Sequence, residues 1–206
     1  MERELTLSPS NSPSSSHIIA ERVAALRLTT PRLIVAIDGR GGAGKSSLAR
    51  AVAPLVLGAR HVEYDWFHLP YAETTAERRF DDERLRREVL GPFRDGTRNF
   101  NFKRYNWGYL SGVEDGFAAE PINITDVDVI VLEGCGVLSA YLVDFYDLRV
   151  WVDTPAEEAL ARGIRRDIEE YGLDPSRTTA AWAEWSAWER SALARDNRKL
   201  RADVVV

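Results

Sequence analysis

The stretch LIVAIDGRGGAGKSSLA, residues 33–49, decides how this chain folds. The apolar run 33–37 ends in a glycine-rich turn, and residues 39–46 fit the pattern G-x-x-x-x-G-K-[ST]. A helical pattern follows the turn. Backbone N–H groups that point into such a loop, together with the positive end of the following helix, bind phosphate oxygens. The stretch therefore predicts a phosphate-binding loop.

Each part of this loop has its own role in holding phosphate. Glycine allows backbone angles, and a close approach of the ligand, that a side chain would block. Lys45 adds positive charge at the outer phosphates, and the hydroxyl of Ser46 can enter the coordination shell of Mg²⁺. We expect the bound nucleotide to contact Gly39, Arg40, Gly41, Gly42, Ala43, Gly44, Lys45, Ser46 and Ser47.

Composition limits the classes of partner. The 206 residues, 45% of them hydrophobic, are enough for one core. A net charge of −5 and a pI near 5.4 argue against a broad basic surface for nucleic acid or anionic membrane. The single cysteine, Cys135, can form neither an internal disulfide nor a metal cluster, and no run of apolar residues is long enough to span a membrane. We expect a cytoplasmic protein that acts on a small molecule.

The order of elements predicts the fold class. Residues 1–16 are rich in Ser, Pro and Asn and predict a flexible leader, with a single domain over 17–206 that opens with a helix at 17–28 capped by Ser16. Strands are predicted at 33–38, 61–64, 127–132, 148–152 and 204–206. Because helical patterns alternate with these strands, the chain is predicted to be an α/β protein with a doubly wound, mostly parallel five-stranded sheet and helices on both faces.

The segments between the strands carry further predictions. A short helix at 81–90 is predicted to break at Gly91-Pro92, and a long excursion at about 93–121 is typical of a functional loop. A helix at about 156–172 is predicted to turn Leu160, Ile164 and Ile168 inward. A last helix is predicted to start at Thr178 or Thr179.

Acidic residues follow three predicted strands: Asp65, Glu133 and Asp153. Ligands of an open parallel sheet lie at these strand ends. Phosphoryl transfer needs Mg²⁺ and a group that orients or deprotonates the attacking hydroxyl. Asp65 and Glu133 are candidates for both tasks, whereas Asp153 is equally well explained as a local cap.

The helix at 156–172 presents Arg162, Arg165 and Arg166. These side chains are either a solvated face that makes surface ion pairs or a mobile lid that stabilises phosphoryl charge. Since Arg162 and Arg166 are four residues apart, they lie on one face of the helix and can act together.

Two aromatic groups have different interpretations. Lys103-Arg104 followed by Tyr105, Asn106, Trp107, Gly108 and Tyr109 suits a small substrate held by stacking and hydrogen bonds, although a loop folded on itself explains it equally well. Trp182, Trp185 and Trp188, three residues apart, are typical of packing against the body or a second subunit, so a homodimer stays open.

His61 and His68 flank Asp65, but two histidines and one acid do not make a convincing metal site. No Asn-Lys-x-Asp element for guanine is present in the sequence, which favours ATP over GTP as the nucleotide.

Taken together, residues 33–206 resemble the uridine kinase-like branch of P-loop kinases, with its pantothenate kinase and phosphoribulokinase relatives. The resemblance rests on the motifs at 37–46, 64–68, 131–134, 146–155, 162–167 and 202–205. It implies a P-loop NTPase three-layer sandwich with a helical lid at about 156–172.

The same resemblance implies roles for individual residues. Asp65 matches the base beside the substrate hydroxyl, Ser46 the magnesium ligand and Glu133 the acid that supports the metal through water. Arg162 and Arg166 match the lid arginines, and His68 stands where a tyrosine is usual. Asp65 is also expected to contact the metal. We expect the substrate to contact Asp65, His68, Arg104, Tyr105, Trp107 and Glu133.

The expected function is an ATP- and Mg²⁺-dependent kinase that phosphorylates a hydroxyl of a nucleoside or a similar metabolite. Two alternatives remain. A nucleoside monophosphate kinase would use Lys103 and Arg104 to hold an extra phosphate. A nucleotide-dependent regulatory protein would use the loop without transfer, but such a protein has no need of a carboxylate at the position of Asp65.

Overall fold

A computed structural model describes residues 14–106 and 116–206 of the chain. Its strands are β1 (Leu33–Gly39), β2 (Ala59–Glu63), β3 (Phe100–Phe102), β4 (Tyr105–Asn106), β5 (Gly116–Phe117), β6 (Ile122–Ile124), β7 (Val129–Glu133), β8 (Leu148–Val152) and β9 (Val204–Val205). The central sheet has five strands in the order β2-β7-β1-β8-β9, and every neighbouring pair is parallel. The predicted parallel five-stranded sheet is therefore confirmed.

Helices cover both faces of this sheet. They are α1 (Ser15–Leu26), α2 (Lys45–Val52), α3 (Asp82–Leu85), a π-helical turn (Arg86–Leu90), α4 (Gly91–Arg94), α5 (Ala156–Glu169) and α6 (Pro175–Arg195). Short 3₁₀ turns lie at Ala53–Leu55, Tyr64–Phe67, Tyr71–Glu73, Val143–Phe145 and Arg198–Arg201. Within the described residues, no helix combines the length and apolar character needed to cross a membrane.

The core has two halves, one on each face of the sheet. All seven residues of β1 are buried, and alternate ones face opposite sides. Leu33, Val35 and Ile37 pack against α1 and α2, whereas Ile34 and Ala36 belong to the aromatic-rich cluster on the other face. This two-sided burial explains why the strand reads as a continuous apolar run.

The excursion at 93–121 contains extended structure that the sequence pattern did not indicate. β3 pairs with β6 and β4 pairs with β5, both antiparallel. These short ribbons form separate two-stranded sheets beside the central one.

The start of the domain differs from the prediction. The first helix begins at Ser15, so its cap position is Ser14 and the predicted Ser16 cap is wrong. The Ser14 hydroxyl bonds His17 Nδ1 at 2.7 Å instead of capping a backbone amide. The helix therefore includes the last two positions of the predicted leader.

Gly91-Pro92 does not break the helical segment after residue 81. The segment passes through a π turn and continues to Arg94. Proline lacks an N–H, and a π turn changes the hydrogen-bond register just where that donor is missing. A Cβ on Gly91 would lie 2.9 Å from the Arg86 carbonyl oxygen, so glycine is what fits beside the turn.

The last helix starts earlier than Thr178. It begins at Pro175, and Asp174 caps it by accepting a hydrogen bond from the Arg177 amide at 2.8 Å. An Asp-Pro pair at a helix start is a recognised signal, so this boundary was available in the sequence.

Candidate active site

The phosphate-binding loop connects β1 to α2. Of the nine residues predicted to contact nucleotide, Gly39 ends β1, residues 40–44 form the turn and residues 45–47 begin α2. Gly42 and Gly44 have φ angles of +77° and +99°, a region that favours glycine. A Cβ on Gly42 would lie 2.0 Å from the Ala159 carbonyl oxygen of α5. Gly42 is therefore fixed both by its backbone conformation and by the close approach of α5.

Lys45 lies inside the loop. Its Nζ donates to the Arg40 carbonyl at 2.8 Å and to Cys135 Sγ at 3.1 Å. Burial alone would lower the pKa of Lys45, but Cys135, Glu133 and Asp38 raise it above the ordinary value. The ammonium group therefore stays charged and can neutralise bound phosphate.

Asp38 holds the floor of the site together, a role that the sequence pattern did not reveal. Its side chain is fully buried and accepts hydrogen bonds from the amides of Gly39 at 2.7 Å, Gly136 at 3.0 Å and Leu138 at 3.0 Å. These bonds tie the end of β1 to the loop that follows β7.

Two carboxylates and one histidine gather at the ends of β2 and β7. Glu63 and Glu133 are register partners on these adjacent parallel strands, and His61 Nε2 lies 3.5 Å from Glu133 Oε1. His61, Glu63 and Glu133 offer ligand atoms within 4.8 Å of one another. This group differs from the set of His61, His68 and Asp65 considered from the sequence, because its two acids come from position 63 and from the neighbouring strand.

Asp65 lies in the turn just after β2, as predicted, and is exposed. Partial desolvation and the charge of Glu133 raise the pKa of Asp65 to about 6, while Lys45 and Arg166 act in the opposite direction. A carboxylate with such a pKa is a better proton acceptor than an ordinary aspartate.

Ser46 and Glu133 offer oxygen ligands of the kind that Mg²⁺ prefers. Burial raises the pKa of Glu133, but His61, Lys45 and Ser46 outweigh it, so the pKa lies below its ordinary value and the group is ionised. An ionised carboxylate beside a hydroxyl on the phosphate loop fits a divalent cation.

Helix α5, which the sequence predicts to be a lid, contacts the loop through small residues. Its fully buried positions are Ala159, Gly163 and Asp167, whereas the predicted inward residues Leu160, Ile164 and Ile168 are half-buried. The reason is steric: the backbone of α5 touches the loop at Gly42, and larger side chains would hold the two apart.

The lid arginines do not act as a pair here. Arg166 donates to Asp167 Oδ1 at 2.8 and 2.7 Å and interacts electrostatically with Asp65. Arg162 instead pairs with Glu158 of its own helix, and Arg165 is exposed. Only Arg166 is brought toward the predicted base.

Helix α6 covers the loop from above. The tryptophans pack on the body of the protein, as predicted: Trp182 Nε1 donates to Asp167 at 2.7 Å and Trp188 Nε1 to the Ala76 carbonyl at 2.9 Å. A Cβ on Gly41 would lie 2.8 Å from Trp185 Nε1.

Glu189, also on α6, is buried and accepts from the Gly41 amide at 2.8 Å, with Arg40 Nη1 at 3.4 Å. No motif marks Glu189 in the sequence, so its contact with the loop was missed.

The residues predicted to contact substrate differ in their exposure to solvent. Arg104 is exposed and interacts electrostatically with Glu63. His68 and Tyr105 are 1% and 3% exposed, with ring centroids 5.5 Å apart, and their contact with substrate stays a prediction. Trp107 lies outside the described residues.

Comparison with known proteins places the chain among kinases. It is 30% identical over 152 residues to the uridine kinase of Macrococcus caseolyticus, a match that covers 68% of this chain and 70% of that protein. It is 29% identical over 153 residues to the uridine kinase of Lactococcus lactis, with 68% and 71% covered. No family model matches the chain.

Among solved structures, a candidate fructose transport system kinase from Silicibacter sp. superposes with a TM-score of 0.71. The superposition covers 94% of this chain and all of that protein at 20% identity. This likeness supports the P-loop α/β fold.

Proposed function

This chain belongs to the uridine kinase family and is an ATP-dependent small-molecule kinase; on that premise we propose that it transfers the γ-phosphoryl group of ATP to a hydroxyl of a nucleoside or a similar metabolite. The observation that carries the proposal is the position of Asp65. A carboxylate with a raised pKa interacts with both Lys45 of the phosphate loop and Arg166 of the lid.

The proposed mechanism divides the work between loop, strand ends and lid. Lys45 and the loop amides hold the outer phosphates of ATP, because they supply donors and positive charge around one concave turn. Asp65 orients the acceptor hydroxyl and accepts its proton as the oxygen attacks. Arg166 supplies positive charge beside the transferred group, and α5 excludes water over the loop.

Mg²⁺ would be held by Ser46 and Glu133, with Asp65 nearby, and when bound it neutralises charge on the phosphate oxygens. We further propose a cytoplasmic enzyme without nucleic-acid partners, with a short leader ahead of one domain that opens with α1 at Ser15. A homodimer stays a prediction.

The test is ATP consumption by the purified protein with Mg²⁺ and a panel of nucleosides, nucleoside monophosphates, pantothenate and sugars. Product mass identifies any acceptor that gains a phosphoryl group. Turnover with a single class of hydroxyl compound supports the proposal. ATP binding without turnover for any compound in the panel would favour a regulatory protein instead.

A further inference from the structure

A cavity of about 170 Å³ lies at the carboxyl ends of β2 and β7, under the C-terminal half of α6. Tyr64, which immediately precedes Asp65, lines it on one side. Cys135 lines it on another, and the Cys135 sulfur accepts the hydrogen bond from Lys45 Nζ at 3.1 Å. The cavity therefore adjoins the proposed transfer centre but is separate from the phosphate loop.

Arg198 is the most informative residue of the cavity wall. The residue is 5% exposed, and its Nε and Nη2 are buried without a hydrogen-bond partner. Asp38 forms an ion pair with Arg198 at 3.6 Å from Nε, a distance too long for a hydrogen bond, and already accepts three backbone amides. Ser139 Oγ, also in the cavity wall, is buried and unpartnered as well. Buried donors without acceptors are costly, so their shared position calls for an acceptor between them.

Three more arginines line the same cavity: Arg78, Arg79 and Arg195. The Arg79 side chain is 13% exposed, and its Nε is buried without a partner. Arg195 is exposed and donates only at 3.3 Å to the Ala76 carbonyl. Arg78 pairs with Asp81 at 3.5 Å and Arg79 with Glu184 at 3.4 Å, two acids that lie outside the cavity wall. Arginine side chains therefore line the cavity on the side of α6 and on the side of the segment before α3.

The cavity wall holds three acids, Glu77, Asp82 and Asp196, against its four arginines. Asp196 pairs with Arg201 at 2.5 Å, outside the cavity wall. Asp82 accepts a hydrogen bond from the Tyr64 hydroxyl, and burial raises the pKa of Asp82. Glu77 is exposed to solvent. The cavity is therefore cationic, with donor groups on its inner side.

We propose that this arginine-lined cavity binds an oxyanion carried by the phosphoryl acceptor, so that the acceptor is a nucleoside or similar hydroxylated metabolite that also bears a carboxylate or a phosphate group. The inference rests on the proposed function, because the cavity adjoins the centre where Lys45 and Asp65 act. A guanidinium group binds carboxylate and phosphoryl oxygens alike, which is why both classes fit.

The first test measures the binding of inorganic phosphate by calorimetry to the full chain with its nucleotide site filled by β,γ-imido ATP and Mg²⁺. The filled loop cannot contribute a second phosphate site. The native protein is expected to bind phosphate, and Arg198→Gln to weaken this binding about 10-fold or more. Arg190→Gln makes the same change at an exposed position of α6 outside the cavity and is the matched control.

Arg195→Gln tests the cavity independently, in case Arg198→Gln does not fold. Arg195 is exposed, so its replacement leaves the core intact, and phosphate binding is expected to weaken about 3-fold for a solvent-screened charge. Failure of the native protein to bind phosphate, or equal binding by native and cavity variants, would overturn the proposal.

The second test compares acceptors that differ only in an oxyanion: uridine with orotidine, glycerol with glycerate, pantothenol with pantothenate and ribose with ribose 5-phosphate. The anionic member of the productive pair is expected to have the higher kcat/KM, and Arg198→Gln to remove that preference by raising KM. Equal use of the neutral member would overturn the assignment to the acceptor while leaving the kinase function standing. Phosphate binding without transfer to any compound would defeat the kinase function and the acceptor assignment together.

Discussion

The floor and the roof of the active site are built by different kinds of interaction. The floor consists of the loop 38–47 with the acids Asp65 and Glu133, and most of its contacts join residues close in sequence or on adjacent strands. The roof consists of α5 and α6, which reach the loop through Gly42 and Gly41, more than 100 residues away. The floor thus follows from local rules of backbone and charge, whereas the roof depends on how distant helices pack.

Removing the positive charge of Lys45 from the floor is expected to have the largest effect on activity. Lys45→Ala takes away the buried ammonium group that faces the outer phosphates, so turnover should fall about 1000-fold, with a matching loss of ATP affinity. Binding of a fluorescent ATP analogue and steady-state turnover measure the two losses. Lys199→Ala, an exposed lysine that pairs with Asp153, is the control and should behave like the native protein. Tight ATP binding by Lys45→Ala would show that the loop is not the nucleotide site.

Replacing the proposed base should separate binding from transfer. Asp65→Asn keeps the shape of the side chain but cannot accept a proton, so turnover should fall about 100-fold or more while ATP still binds. Asp153→Asn is the matched control, since it changes another strand-end acid that bonds Trp151 and Lys199 instead of facing the loop. Full activity in Asp65→Asn would contradict the role of Asp65 as base.

How far these features follow from the sequence differs between floor and roof. The parallel sheet, the loop and the position of Asp65 follow from apolar runs and a local motif, and all three are observed. Glu63 joined the acidic group only because strand order set it beside Glu133, which periodicity does not specify. The fully buried face of α5 was not found because its contacts need small residues: Ala159 lies against the backbone of Gly42, and Gly163 against the ring of Trp182.

Contact between floor and roof can be broken with a single methyl group. Gly42→Ala would place a Cβ 2.0 Å from the Ala159 carbonyl of α5, in addition to the strain at φ +77°. Since the lid can no longer seat on the loop, turnover is expected to fall about 10-fold. Loss of cooperative unfolding must be excluded by a thermal melt.

Gly172→Ala isolates the backbone strain in this comparison. Gly172 has a similar φ of +66°, but its Cβ would meet no atom within 4 Å. The variant should lose about 1 kcal/mol of stability and keep native turnover. If both glycine variants lost turnover equally, backbone strain rather than lid contact would explain the defect.

The smallest effect is on stability, and its sign follows from the pKa of Asp65. In the metal-free protein this pKa is raised from 3.8 to about 6, so between these values the folded state holds more protons than the unfolded state. Stability therefore falls as pH rises through this window. Because Asp65 is exposed and screened, the loss is about 1 kcal/mol, equivalent to roughly 2–4 °C in Tm.

Asp65→Asn removes this titration and should melt higher than the native protein at pH 8 with a chelator present, with the difference vanishing near pH 4. Asp153→Asn should melt at a lower temperature than the native protein at pH 8. Hydrogen bonds from Lys199 and Trp151 lower the pKa of Asp153, so its ionised form stabilises the fold. Equal melting temperatures for the native protein and Asp65→Asn at pH 8 would mean that Glu133 does not destabilise the Asp65 charge. If Asp65→Asn raises the melting temperature at pH 8 and Asp153→Asn lowers it, the ionised Asp65 destabilises the fold, as expected of a group kept for proton transfer rather than for folding.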